Sequence, residues 1–572
     1  MLCCSGMRHF IFRKTRHVTR FAILWIALLA TVSAFADNSK ISPDLQPLLQ
    51  NPSASVNVIV QYNSAPQTCS GGGLLGGLLC TVVNIVGGLV KEVFTLLNAV
   101  AATVTAGDVV NLSNQSNVSY ISLDRPLTAT LDYAAAAVNA PYAWSYGLDG
   151  TGVGIAVIDS GIYSHPDLRS RVVYRQSFIG GVQFDDYGHG THVAGILAGS
   201  GSSSSQTGSF RKLKGIAPNA NLLDLRVLDK NGMSTDSAVI SALQQAVQLK
   251  NKYNIRVINL SLGRPIYEGC KKDPLCQAVE AAWRNGIVVV VAAGNLGRNG
   301  YATVLAPGNS PHAITVGAMK TMETAPRSDD LIASYSSKGP TYIDLTVKPD
   351  VVAPGNMVVS LLAPGSTLVA EYPGNVVAPS YYTTSTSAPG GQYFQLSGTS
   401  MATPVVSGAV ALLLQKEPGL SPDTVKARLM KTAYKAFPLA STAIDPTTGA
   451  VYLDTYDMFT VGAGYIDIAA ALNDYETISG SAISPSVSYN PLLLTAVLIN
   501  PSGSCWNNGA WSTTNVWGTQ VIQPLGSTST AWGSSAAWGS STAWGSSAAW
   551  GSSTAWGSST AWGSSVGGKG EK

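Results

Sequence analysis

Charge is scarce in this chain: Asp, Glu, Lys and Arg make up 12% of its 572 residues, and the net charge is +3. There is no basic stripe to track a nucleic-acid backbone and no acidic block, so function rests on particular residues and not on bulk charge. Cysteine is sparse too, and no C-x-x-C pair occurs, which removes the usual spacing of a structural zinc site. H-E-x-x-H is also missing; the nearest thing is His189 and His192 in "YGHGTHVAG", with no Glu between them and no third ligand nearby. A metallohydrolase built on that pair is disfavoured. From Thr477 to Gly568 there is not one Asp, Glu, Lys or Arg.

What is present divides the chain into five stretches. Residues 1–36 read as a secretory signal: Arg8, Arg13, Lys14, Arg16 and Arg20 precede "FAILWIALLATVSAFA", which ends in an A-x-A cleavage pattern. The apolar run is short for a membrane span, although a retained anchor is the competing reading. Export, to an extracellular, periplasmic or surface-attached location, permits disulfides. After removal of the signal five cysteines remain, and Cys69–Cys80 and Cys270–Cys276 are the local pairs, leaving Cys505 unpaired.

Residues 37–132 read as a small α+β unit, with a strand in "SVNVIVQYNS", helical spacing in "VKEVFTLLNAVAATV" and a strand in "VSYISLDRPLTATL". The glycine-rich stretch between the first strand and the helix is an insertion loop pinned by Cys69–Cys80, or, alternatively, a membrane contact. Residues 133–475 alternate strands and helices. "GVGIAVIDSG", "ANLLDLRVLD", "IRVINLSLG", "GIVVVVAAGN" and "AITVGAM" are apolar, β-branched runs closed by turn residues, and "DSAVISALQQAVQLKNKY" is a helix. The pattern predicts an α/β domain with a parallel sheet covered on both faces. Ligands bind such sheets beyond the carboxyl ends of the strands, where Asp159, Gly263 and Asn295 fall. Residues 476–525 form an uncharged extension, and 526–572 carry tryptophan every six residues in "AWGSS" units. An extended chain would put these rings on one face, whereas a helix would scatter them by about 240° per step. The tail is a low-complexity linker, or it binds polysaccharide, cell envelope or another subunit. On the second reading, truncation after about residue 500 spares peptide hydrolysis and loses attachment.

Three groups carry candidate chemistry. Asp159 ends a strand, His189 opens the helix "HGTHVAGILAG", and Ser400 lies in "LSGTSMATPVV", with Pro404 placed for the first turn of a buried helix. A serine hydroxyl becomes a good nucleophile when a histidine takes its proton and a buried carboxylate orients that histidine. A helix N-terminus at Ser400 adds N–H groups for a developing oxyanion. The nucleophile context G-T-S-M-A is not the G-x-S-x-G of α/β-hydrolases, and the chain order Asp, His, Ser is that of subtilisin.

"VIDSGI", "GHGTHVAG" and "GTSMATP", in that order, resemble the three active-site segments of the subtilisin-like serine proteases. "GIAPNANLLDLRVLD", "INLSLG", "VAAGN" and "KPDVVAPG" extend the resemblance over residues 133–475. It implies a three-layer subtilisin-like domain and a secreted endopeptidase acting on proteins or peptides through Asp159, His189 and Ser400, with no cofactor needed for the chemistry. It further implies an oxyanion hole from Asn295 and the Ser400 N–H. Cleft edges fall at Gly232 and Ser234, at Ser261, Leu262 and Gly263, and at Ala293 and Gly294, with Leu305 at the pocket floor. Structural calcium is expected in some relatives: Asp167 matches a ligand, but "GSGSSSSQTGSFRKLKG" replaces a calcium loop. Residues 37–132 resemble the self-cleaved propeptide of the family, which assists folding and caps the active site, with a cut expected within about residues 125–135. A catalytically inactive binding protein on the same scaffold is the reading from another class; the intact Asp, His, Ser and Asn positions argue against it. His192 has no acid partner and reads as structural support.

Overall fold

The computed structural model describes residues 38–517 except 44, 65–88, 95–97, 125–128, 131–132, 182–183, 446–448, 491–494 and 508, and in addition residue 571. The signal stretch, the segment holding Cys69 and Cys80, and the tryptophan repeat lie outside the described residues. The chain divides into two compact units, Met1–Leu127 and Thr128–Lys572.

The first unit is an antiparallel sheet of β1 (Ser55–Tyr62), β2 (Leu89–Phe94), β3 (Ala99–Thr105) and β4 (Val118–Leu123) in the order β2-β3-β1-β4. Helix α1 (Ala106–Ser113) follows β3 and starts at a reciprocal cap: the Thr105 hydroxyl accepts from Asp108 N and the Asp108 carboxylate accepts from Thr105 N. Val58, Val60, Val100, Val104, Val109 and Ile121 form its own core. The helix expected over "VKEVFTLLNAVAATV" is a β-hairpin instead, β2 and β3 joined around Asn98 in the left-handed region. Seven ladder pairs of β3 with β1 outweigh local spacing that suits either period, and the helix of the unit lies after β3.

In the second unit the central sheet has eight strands. Seven lie on one path: β5 (Gly154–Asp159), β6 (Val172–Ser177), β7 (Asn221–Arg226), β8 (Ile255–Leu260), β9 (Val288–Ala292), β10 (Ile314–Lys320) and β11 (Leu331–Ile332). Their order is β11-β10-β9-β8-β5-β7-β6, and β12 (Val351–Pro354) also pairs with β10. Every pairing is parallel except β10 with β11. The apolar runs explain this: β5 is buried at all six positions and β9 at all five, as strands covered on both faces must be. Helix α2 (His189–Ala198) packs with α5 (Thr399–Lys416), and α3 (Asp236–Tyr253) packs with α4 (Pro274–Arg284), each pair also lying against the sheet. The result is a three-layer α/β domain. From β5 the chain runs to β7 and β6 on one side and to β8, β9 and β10 on the other. The carboxyl ends of β5 and β8 therefore flank a topological switch point, where ligand sites form.

Two further expectations change. Pro404 is the sixth residue of α5 and not in its first turn, because α5 begins at Thr399. The second is that truncation after about residue 500 leaves the folded unit intact: within the uncharged extension Trp506, Trp511 and Trp517 are buried in the hydrophobic core of the second unit, and Trp506 Nε1 donates to Ile483 O at 2.6 Å. Truncation near residue 500 would remove these rings and uncover the apolar surface they pack on, so it would cost stability as well as the tail. Cys505 is buried and not in a disulfide, and burial pushes its thiol up to about 12. No helix among the described residues is long and apolar enough to cross a membrane.

Candidate active site

Asp159, the last residue of β5, points its Oδ1 at His189 Nδ1, 2.8 Å away. The same oxygen accepts from Ser160 N at 2.7 Å, while Oδ2 has no hydrogen-bond partner among the described residues. The approach of α2 to β5 depends on Gly190: a Cβ there would lie 2.2 Å from Gly161 O and 3.2 Å from the Asp159 Cβ. Both partners are almost wholly buried. Burial opposes protonation of His189, but the charge and hydrogen bond of Asp159 outweigh it and hold the imidazole above its ordinary value. His189 Nε2 has no hydrogen-bond partner among the described residues.

The start of α2 is held by a residue that motif reading passes over. Asp185 accepts from Ser160 Oγ (2.7 Å), Gly188 N (2.7 Å) and Thr191 N (2.8 Å), so one buried carboxylate ties the end of β5 to the first turn of α2. Burial raises its pKa in spite of these donors. An Asp four residues ahead of the first helical position was the available signal. His192 faces elsewhere: its Nε2 lies 3.1 Å from Val358 O and 3.0 Å from Phe394 O. Burial first, and then the field of His189, push it down to about 3, so it is a neutral donor to two backbone carbonyls. The two histidines thus serve different partners, and among the described residues no cluster of His, Cys, Asp or Glu is arranged for a metal.

Ser400 is the second residue of α5. Its hydroxyl donates to Ser261 O at 3.1 Å, just beyond β8. In return Ser261 Oγ donates to Ser400 O at 2.9 Å. Pro404 explains that second bond. It stands where an N–H would meet Ser400 O across one helical turn, and proline has none. Ser261 supplies the missing donor and so fixes the nucleophile's own backbone to the end of β8. Ser400 N–H is among the first four of α5, which have no acceptor four residues back within the helix.

Asn295 follows β9. Its Oδ1 accepts from Thr399 N (2.9 Å) and Thr399 Oγ1 (3.1 Å), and Thr399 Oγ1 accepts from Gly294 N (3.1 Å). This clasp fixes which arm of the carboxamide carries the Nδ2 donors. Gly294 is required there: φ is +109°, and a Cβ would sit 2.8 Å from Leu305 Cγ and 2.9 Å from Ser337 Oγ. Thr399 is the second residue that motif reading missed; its place next to Ser400 was the only hint.

A strand-end carboxylate bound to a helix-start histidine, with a serine at the start of the adjoining helix, is the arrangement that serine nucleophiles use. The subtilase family matches residues 150–464. That is more than half of the chain. The chain belongs to the subtilase family. Serine protease AprX of Bacillus subtilis (strain 168) is 41% identical over 347 residues, covering 59% of this chain and 74% of that protein. Subtilisin E of the same strain is 34% identical over 366 residues, covering 62% and 80%. The alkaline protease of Shouchella clausii is 33% identical over 345 residues, covering 59% and 75%. This subtilase is a serine-type endopeptidase, and its substrates are proteins or peptides.

The positions expected at the cleft edges lie as follows. Gly232, in the left-handed region, lies in a turn closed by Asp229, whose Oδ1 accepts from Asn231 N and Met233 N; Ser234 follows it, ahead of α3. Ser261, Leu262 and Gly263 follow β8, and the next residue, Arg264, exchanges two 2.8 Å backbone bonds with Ala306. Ala293 O accepts from Leu305 N at 2.9 Å. Leu305 is buried between the two edges, touching the space beside both Gly263 and Gly294. Cys270 and Cys276 form a disulfide, Cα atoms 5.3 Å apart, which ties the loop before α4 to the first turn of α4. Cys69 and Cys80 lie outside the described residues. Asp167 accepts from Ser202 Oγ (2.8 Å), Ser203 N (2.7 Å) and Tyr393 OH (2.9 Å). Both oxygens of this buried carboxylate are thus engaged in hydrogen bonds to the segment at Ser202–Ser203 and to Tyr393.

Proposed function

We propose that this subtilase is a secreted endopeptidase made as a precursor that processes itself, and that Asp159, His189 and Ser400 carry the reaction. In this reading Ser400 Oγ leaves the Ser261 carbonyl and attacks the scissile carbonyl carbon while His189 Nε2 takes its proton. Asp159 holds the tautomer through Nδ1 and stabilises the imidazolium that forms. The carbonyl oxygen, now negative, accepts from the Ser400 N–H and from Asn295 Nδ2. His189 gives its proton to the leaving amine, the C–N bond breaks, and water admitted to the same base hydrolyses the acyl-enzyme. The observation that carries the proposal is the buried 2.8 Å Asp159–His189 contact at the switch point of the sheet, beside the N-terminus that bears Ser400.

The substrate backbone adds to the edges at Gly232–Ser234 and Ser261–Gly263, which makes binding depend mainly on main-chain groups. Leu305 fills space between Gly263 and Gly294, so a small side chain is preferred next to the scissile bond. The first 36 residues direct export, the unit at 37–132 is the propeptide, and the cut falls within about residues 125–135. The tryptophan repeat attaches the enzyme to envelope or polysaccharide.

A fluorophosphonate reagent should label the purified full-length protein at Ser400, and Ser400→Ala and His189→Ala should both abolish labelling and turnover. Labelling that survives Ser400→Ala overturns the assignment. Mass spectrometry of the ends of the protein recovered from culture medium tests export and processing together. An uncut product with residues 37–132 still attached argues against self-processing.

A further inference from the structure

Glu571, the penultimate residue, is 2% exposed, buried against the catalytic unit far from the nearest described residue in sequence, Trp517. Its surroundings are those of a fitted ligand. Arg298 Nη2 donates to its Oε1 at 2.8 Å, Ser334 N donates to its Oε2 at 3.0 Å, and the Ser334 hydroxyl donates to Oε1. Lys320 Nζ stands 3.5 Å from Oε2. Asn356 reads the backbone in both directions, its Nδ2 donating to Glu571 O at 2.7 Å and its Oδ1 accepting from Glu571 N at 3.1 Å. Glu571 also forms part of the wall of a cavity of about 320 Å³, with Lys320, Thr321, Asn356 and Met357.

The receptor side is assembled without it. Arg298 is held by Asp445, by the Ser334 hydroxyl at 3.0 Å, and over the Tyr452 ring at 4.7 Å. Lys320 is different. It is buried, and Glu571 is the only carboxylate within ion-pair reach of it among the described residues. A buried ammonium without an anion is strongly unfavourable, so the position calls for a negative group. Burial alone would raise the Glu571 carboxyl, but the Ser334 donors, Arg298 and Lys320 hold it below its ordinary value.

We propose that Arg298, Lys320, Ser334 and Asn356 form a receptor for a glutamate-bearing peptide, and that its occupant is the segment of the same chain that carries Glu571. The receptor adjoins the catalytic machinery on two sides. Arg298 is three residues past Asn295, and Met357 N donates to Ser397 Oγ at 2.9 Å just before α5. Docking of the tail therefore braces the loop that carries Asn295.

The test uses the full chain carrying Ser400→Ala, which prevents self-digestion, with and without Glu571→Ala. Hydrogen exchange is read on the peptide spanning residues 331–337, because the Ser334 amide donates to Glu571. Glu571→Ala should speed exchange there by at least tenfold, and free Gly-Lys-Gly-Glu-Lys peptide should slow it again. As a second arm, Lys320→Met in the Glu571-intact chain should give the same faster exchange with an unchanged circular dichroism spectrum. Equal exchange with and without Glu571 overturns the proposal. Protection that grows with protein concentration, together with a doubled mass in light scattering, assigns the occupant to a second copy and overturns the same-chain assignment.

Discussion

Thr399→Val separates positioning from chemistry at the oxyanion hole. Valine keeps the shape and the backbone N–H but removes the hydroxyl that accepts from Gly294 N and donates to Asn295 Oδ1. Two losses follow, and they differ in size. The buried Gly294 N–H loses its acceptor, which costs about 1–3 kcal/mol of stability. Asn295 retains one of its two holds, the 2.9 Å bond from Thr399 N, so its donor is loosened and not removed. Outright loss of the corresponding asparagine in subtilisin, a member of the same family, costs roughly a hundred- to a thousandfold in kcat. That sets the ceiling, and a fall of about tenfold, near 1.4 kcal/mol of transition-state stabilisation, is expected for Thr399→Val. KM should hardly change, because the oxyanion exists only in the transition state. The assay is steady-state hydrolysis of a chromogenic peptide by the processed enzyme, with Thr399→Ser as the rescue that restores the hydroxyl. The decisive comparison places Thr399→Val on an Asn295→Ala background, where no donor is left to orient and the kcat effect should shrink towards none. A full tenfold loss on both backgrounds refutes the clasp as the route by which Thr399 acts.

Other perturbations test neighbouring parts of the site. Because Asp159 holds His189 above the ordinary histidine value, and the base works only when neutral, kcat/KM should fall on acidification with an apparent pKa above 6.5; a limb at or below 6.5 contradicts the pairing. His192 has the opposite sign: folded at about 3 and unfolded near 6.5, it binds a proton only in the unfolded state between those values. Stability should therefore drop by about 1.4 kcal/mol per pH unit below 6.5 on its account, and His192→Gln in the Ser400→Ala protein should flatten urea-measured stability between pH 6.5 and 4.5 by roughly 2–3 kcal/mol. Ser261→Ala strands the Ser400 carbonyl at a cost of about 1–3 kcal/mol, and adding Pro404→Ala should recover part of it by restoring the helical N–H; additive losses in thermal melts would exclude the exchange.

The parts of this fold that were legible in the sequence are those in which local pattern and burial agree. β5, β8, β9 and β10 are rich in apolar, β-branched residues because both faces are covered, and α3 has the expected bounds because its caps and its buried stripe coincide. Asp159 and His189 were legible as element ends, and the structure brings them into contact; it puts Ser400 on the adjoining helix with its hydroxyl on Ser261. β2 and β3 were not legible, since a short apolar run suits either period and the partner strand decides between them. Asp185, Thr399 and the Ser261 link were not legible for a related reason. Each joins loops that only tertiary packing brings together, and none changes the local pattern around it. The same holds for Glu571, one acidic residue at the end of a repeat, whose partners lie between residues 298 and 356.

These supports share one feature that bears on how the site tolerates change. Asp185 ties β5 to α2, Ser261 ties β8 to α5, and Thr399 ties the loop after β9 to α5. Each bond joins a strand end to a helix start, and none runs between two helices. The sheet is thus the reference frame, and each reactive group is positioned by its own strand. A perturbation at one tie should displace one group and leave the others in register. Loss of Asp185 would shift His189 against Asp159 while Asn295 stays clasped, and loss of Thr399 would do the reverse. Double variants drawn from different ties should then be close to additive in stability, since they share no partner, yet strongly non-additive in kcat, since the transition state needs all groups at once.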